Sequence, residues 1–153
     1  MDPRMDRRTD RRTTEYYAQV QQFYARQMRL AEEGLVDSWA GTFAEDAVFE
    51  DSSAPVPLRG RTAIRDAVRT GVEQIAAAGL DFRHWFGLIE VLPQPDGSLR
   101  TRYYALAMAT PRGGTLRIHG NAECRDHLVP EDGGGWLVRQ RAVSPDGLGL
   151  AQR

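Results

Sequence analysis

Three breaks rich in proline and glycine, PQPDGS at 93–98, PRGG at 111–114 and PEDGGG at 130–135, cut the chain after Asp81 into four long runs. Such clusters stop helix and strand alike and favour tight reversals. The runs 82–92, 98–110, 115–129 and 136–144 therefore read as long strands joined by short turns, an antiparallel meander. A meander has two faces, and one of them needs a cover. The first half of the chain has to supply it.

That half reads as helical. Tyr16, Val20, Phe23, Tyr24, Leu30 and Ala31 recur at helical spacing, with Thr13 able to cap the start and Gly34 able to end it. A shorter helix is expected from Asp37, carrying Trp39 and Phe43, then a short strand over 47–51 and the loop SSAPVPLRG. A second long helix is expected over 62–78. Its stripe is Ile64, Ala67, Val68, Val72 and Ile75, and Gly79 stops it. Helices first and strands after predict an α+β fold in one domain, 13–153, with residues 1–12 as a disordered charged tail. A long, curved, mainly antiparallel sheet wrapped around helices encloses a cone-shaped, barrel-like cavity open at one end, and such cavities take small molecules.

Composition removes several function classes. The 153 residues are 41% hydrophobic, enough for a proper core, and 20 basic against 21 acidic side chains leave a formal net charge of -1. That is no basis for nucleic-acid binding, which needs a strong positive field. Every basic side chain is Arg, so Schiff-base lysine chemistry is out. The single Cys124 excludes an internal disulfide and a thiolate zinc cluster. No phosphate loop, dinucleotide fingerprint or Ser-His-Asp order is visible, and no cofactor or metal is expected. With no apolar run of membrane-spanning length and no apolar leader at the N-terminus, the expectation is a cytoplasmic protein with no membrane partner.

The strand 82–92 holds an imidazole where apolar residues belong. A period of two puts Phe82, His84, Phe86 and Leu88 on one face. His84 is then either a neutral core residue or the acid/base of a pocket, since an imidazole exchanges protons in both directions near neutral pH. On 115–129 the same period groups His119, Asn121, Glu123, Arg125 and His127 against Ile118, Ala122, Cys124 and Leu128. The polar face reads as a solvated or interface surface, or as a pocket wall in which His119 and Asn121 would act. Asp126 opposite Arg139 or Arg141 reads as a cross-strand ion pair.

The stretches AEEGLVDSWAGTFAEDAVFED at 31–51, LRGRTAIRDAVR at 58–69 and GNAECRDHLVPEDGGGWLVRQRAV at 120–143 resemble the SnoaL-like proteins, members of the nuclear-transport-factor-2-like superfamily of α+β cone folds. The resemblance spans roughly residues 13–145. The helix YYAQVQQFYARQMRLAEEG is most similar to small proteins of aromatic-polyketide gene clusters, of the actinorhodin type. The superfamily also includes scytalone dehydratase, polyketide cyclases, ketosteroid isomerase and members without catalysis, so fold alone does not assign an activity.

The resemblance implies site residues. His84 falls on the histidine that the dehydratases keep at the start of the first long strand, and Glu32 falls near a carboxylate of scytalone dehydratase. Asp51 stands where that enzyme has a tyrosine. The second polar partner would fall near Thr110, where neither His nor Asp occurs, and His119 could replace it only if its strand turns it inward. The implied reaction is dehydration, or cyclisation with loss of water, of a β-hydroxy carbonyl intermediate of aromatic polyketide biosynthesis. His84 would be the general acid/base, helped by Asp51 or Glu32. Tyr24 or Tyr104 would hold the enolising carbonyl, and Trp39, Phe86 and Asn121 would contact the substrate, with Trp85 a further aromatic able to face away. An aldol-type cyclase, a protein that shields an unstable intermediate and a structural partner subunit remain alternatives. A homodimer is the expected assembly.

Overall fold

A computed structural model describes residues 7–147. Helix α1 (Arg7–Glu32) is followed by α2 (Val36–Ala40), β1 (Phe43–Asp51), β2 (Leu58–Arg59) and α3 (Arg61–Ala77). The meander follows as β3 (Leu80–Pro93), β4 (Leu99–Pro111), β5 (Arg117–Pro130) and β6 (Trp136–Pro145). All six strands form one sheet in the order β2-β1-β6-β5-β4-β3. The fold is α+β, and the curved sheet stays open, with β2 and β3 as its edges. Pairing is antiparallel except between β1 and β6, which run parallel.

Helix α1 begins at Arg7 and so takes in half of the segment expected to be a disordered tail; residues 1–6 lie outside the described residues. Its buried stripe is Val20, Tyr24, Gln27 and Ala31, one residue per turn. Gly34, at φ +77°, ends it by turning the chain left-handed, a conformation that costs a side-chain-bearing residue. Phe43 corrects the reading of the second helix: α2 stops at Ala40, and Phe43 opens β1, where it is fully buried beside Val138 of β6. The two-residue β2 carries too short a pattern to be read from sequence.

Three bulges decide which side chains face the helices. On β3 the register slips between Gly87 and Glu90, so Leu88 is pushed out, 82% exposed at φ +50°, while Ile89 and Val91 turn in. The expected fourth member of the His84 face is therefore on the outside. On β5, Ala107 pairs with Gly120 and Met108 with Ile118, leaving His119 as the extra residue. On β6, His127 pairs with Gln140 and Leu128 with Val138, leaving Arg139 as the extra residue. That last slip inverts the alternation, so both Val138 and Arg141 are buried.

Candidate functional site

The concave side of the sheet and the helices α1, α2 and α3 enclose a cavity of about 800 Å³ with an open mouth. Two features of the sequence hollow it. The inward positions of β4 and β5 beyond Tyr103 are small, with Ala105 facing Ala122 and Ala107 facing Gly120. The stripe of α3, including Val68, Val72 and Ile75, lines the space instead of filling it, and of that helix only Ile64 is fully buried. The walls are mostly apolar, so the few polar groups on them stand out.

At the floor lies a closed polar cluster. Asp126 and Arg141 are cross-strand partners, their side chains 0% and 4% exposed, so the expected ion pair forms with Arg141, while Arg139 on the outer face bonds Asp46. Arg141 Nε donates to both carboxylate oxygens at 3.0 and 3.2 Å, and Nη2 donates to Asp126 Oδ2 and to Gln27 Oε1, each at 2.8 Å. Tyr24 and Tyr103 hydroxyls donate to the same carboxylate at 2.7 and 3.1 Å. The guanidinium also lies 5.5–6.0 Å from the ring centres of Tyr24, Phe43, Phe86 and Tyr103. Burial pushes both tyrosines well above their ordinary range, so they stay protonated donors. Burial alone would lower Arg141, but the Asp126 carboxylate holds it well above its usual value.

His84 stands higher on the wall. Burial first, then the positive Arg141 and then His119, lower its pKa from 6.5 to about 4, so the imidazole is neutral at neutral pH. Its Nδ1 is buried and has no hydrogen-bond partner among the described residues. Glu32 Oε1 is 3.8 Å from that nitrogen, too far for a hydrogen bond, and with a neutral ring the contact is not an ion pair either. Glu32 instead accepts the backbone N–H of His84 at 2.8 Å. As β3 is an edge strand, this bond supplies the end of α1 as the partner that a further strand would have been. The carboxylate thereby fixes the His84 backbone against α1.

The bulge on β5 does bring His119 to the cavity. Its ring packs edge-on to Phe82 at 5.2 Å, and Phe82 packs on His84 at 5.0 Å, so one phenyl ring separates the two imidazoles at the mouth. Asn121 lines the same rim. Asp51 also reaches the lining, but its Oδ1 is committed to the backbone N–H and hydroxyl of Ser53, and no hydrogen bond or ion pair joins it to His84 among the described residues. Trp39 and Phe86 line the interior, packed on Phe43 at 4.7 Å and on Tyr103 at 4.5 Å.

Both tyrosines expected to hold a carbonyl need correction. Tyr104 is 51% exposed on the outer face of β4, because its neighbour Tyr103 takes the inward position. Tyr24 is buried, but its hydroxyl is spent on Asp126 and, at 2.6 Å, on Thr101. Trp85 likewise faces outward. Arg141 is the cavity residue that sequence reasoning missed as a functional candidate. The only signal for it was its place opposite Asp126, and that signal pointed equally to Arg139. Cys124 also lines the cavity, with its thiol pushed up by burial to about 12, so it is no nucleophile.

Among the described residues no helix is long and apolar enough to cross a membrane. The profile of the SnoaL-like domain family matches residues 12–142. No curated protein sequence matches the chain significantly. Among solved structures, Aln2 from a Streptomyces species is similar at 32% identity and TM-score 0.82, over 91% of this chain and 96% of that one. ActVI-ORFA from Streptomyces coelicolor is similar at 26% identity and TM-score 0.81, over 89% and 98%. A protein of Catenulispora acidiphila, solved in complex with S-DNPA, shares 32% identity at TM-score 0.74, over 87% and 95%.

Proposed function

The chain belongs to the SnoaL-like domain family, and from that premise we propose that it removes water from a β-hydroxy carbonyl intermediate of aromatic polyketide biosynthesis, by dehydration or by cyclisation with loss of water. The observation that carries this reading is one desolvated, neutral imidazole with an unpartnered Nδ1 in the wall of an apolar chamber of about 800 Å³. The chamber has the size of ordinary small-molecule pockets. The polyketide setting is supported by the resemblance of α1 to proteins of aromatic-polyketide clusters and by the similarity to Aln2 and ActVI-ORFA.

In this reading His84 takes the α-proton of the substrate. The C–H electron pair becomes the enolate double bond. When the carbonyl re-forms, the β-hydroxyl leaves with the proton that the imidazolium returns to it, and the products are an enone and water. An imidazolium with a low pKa is a poor holder of its proton and hence a good donor to a departing hydroxyl. Glu32 positions the ring through the backbone, and burial first, then Arg141 and then His119, keep the His84 proton from being retained. Trp39 and Phe86 offer flat surfaces to an aromatic substrate. The outer face of β3 to β5, with Trp85 and Ile118 exposed, is where two copies would pack as a homodimer.

The test is mass spectrometry of bicyclic β-hydroxy ketones incubated with the protein and with His84→Ala. Loss of one water with the wild type, slowed on the order of 10²–10⁴-fold in the variant, is the expected result. An unchanged mass, with tryptophan fluorescence still quenched by the same compounds, would replace the enzyme with a protein that only binds and shields its ligand.

A further inference from the structure

Two glycines of the cavity wall are not required by the fold. Gly71 lies in the middle of α3, on the inward stripe that runs Ile64, Val68, Gly71, Ile75 at helical spacing, and it lines the cavity. Gly120 lies within β5 opposite Ala107 of β4, and both line the cavity. Residues directly opposite each other on neighbouring strands share a face, so Gly120 looks inward with Ala107. Neither glycine takes a positive φ, unlike Gly34 and Gly79 at the two helix ends. A Cβ on either would meet no packing neighbour within 4 Å, whereas at Gly114 it would come within 3.0 Å of Pro111. Glycine inside a helix or a strand weakens it relative to alanine. What α3 and β5 obtain in exchange is empty space in the chamber.

That space has a shape. In the antiparallel register His84 of β3 stands opposite Ala107, and Ala107 opposite Gly120. In the next inward row Phe86 stands opposite Ala105, and Ala105 opposite Ala122. Each row thus begins with a ring on β3 and continues across β4 and β5 with side chains no larger than a methyl group. The four small positions are spaced about 5 Å across the strands and about 7 Å along them, the footprint of two fused rings. On the helix side of the chamber Gly71 is the gap in the stripe of α3. We propose that Gly71 and Gly120 are the specificity-determining residues of the site. They keep open a slot between α3 and the sheet that takes a flat ligand of two fused rings, laid on the Ala107–Gly120 row beside His84. This rests on the reading of the cavity as a substrate site and adds how the ligand lies there and what limits its size. A single ring covers about half of the shelf and forgoes the apolar contact of the rest.

Two ketones that have no water to lose serve as probes: 2-acetylnaphthalene with two fused rings and acetophenone with one. Binding is read by equilibrium dialysis. The wild type should bind the first about tenfold more tightly than the second. Gly71→Leu places a good helix former in a helix, and Gly120→Val a good strand former in a strand, so both variants should resist urea at least as well as the wild type. Each should weaken the two-ring ketone by about tenfold and leave the one-ring ketone within about twofold. Alanine at either position fills less of the slot and should cost the two-ring ketone less. With bicyclic and monocyclic β-hydroxy ketones as substrates, the Leu and Val variants should shift kcat/KM towards the monocyclic one. A merely structural role would move both ligands together. A wild type without preference, or variants that keep the preference or weaken both probes alike, would overturn the slot. A preference lost in the variants of a protein that removes water from neither β-hydroxy ketone would uphold the slot and overturn the dehydratase. Water loss with the preference unchanged in both variants would do the reverse.

Discussion

The floor and the mouth of the cavity are built on opposite plans. At the floor, Asp126 accepts from Arg141, Tyr24 and Tyr103, and Gln27 and Thr101 complete the set. Every one of these side chains is buried, and nearly every polar atom is answered. At the mouth, His84 Nδ1 has no hydrogen-bond partner among the described residues, His119 packs on a phenyl ring, and Glu32 spends its bond on a backbone amide. The more heavily bonded region is thus the less reactive one. A carboxylate held by five hydrogen bonds from three residues has neither a free valence nor a proton to exchange, whereas a neutral imidazole with an empty nitrogen has both.

Breaking the floor should cost stability before anything else. Asp126→Ala leaves the buried Arg141 without its counter-charge and should destabilise the fold by about 3–5 kcal/mol, read from urea unfolding. Adding Arg141→Met to that variant should recover a substantial part of the loss. A double variant no more stable than the single would mean that the two regions do not differ as described.

The mouth should show itself through pH. The unfolded imidazole has its ordinary pKa of 6.5 and the folded one about 4. Above pH 6.5 both states are neutral and stability is complete. As pH falls from 6.5 towards 4 only the unfolded state takes the proton, so stability drops, by at most about 3 kcal/mol. His84→Phe should remove the largest part of that slope, leaving the weaker ones of His127, which burial and Arg100 also push down, and, towards pH 4, of Glu123, whose carboxyl Arg125 and Arg102 hold low. In the wild type, kcat/KM should hold down to about pH 4, because the neutral base persists there. An activity lost near 6.5 would show an imidazole in water rather than in a wall.

The smallest effects grade the floor internally. Tyr24→Phe removes two bonds, at 2.6 and 2.7 Å, and Tyr103→Phe one, at 3.1 Å. The first should cost about 1–3 kcal/mol and the second about 1 kcal/mol, both with the cavity intact. Equal losses would mean that the hydroxyls are not ranked by their bonding.

Most of the architecture was legible because it rests on local signals. The glycine and proline breaks set the hairpins, and the stripes of α1 and α3 set the cover. The cavity lining was legible where the resemblance carried a residue, as with His84 and Glu32, whose backbone contact no periodicity could show. Alternation failed at Leu88, His119 and Arg139, because a bulge is a property of two strands in register and leaves no mark on one. Tyr103 and Tyr104 show the same limit more simply. Adjacent identical residues must face opposite ways, and only pairing decides which one looks in. Phe43 was misread because a short helix and a strand entered through a tight turn share the same apolar residues.

The extra residue on β5 bears on how such a chamber changes over descent. His119 is added to the ladder rather than exchanged within it, since Gly120 and Ile118 keep consecutive partners on β4. Losing that one codon would restore unbroken alternation, keep each neighbour on its present side and erase the rim imidazole. A change of length here, more than a replacement, is the step that would add or remove the rim imidazole.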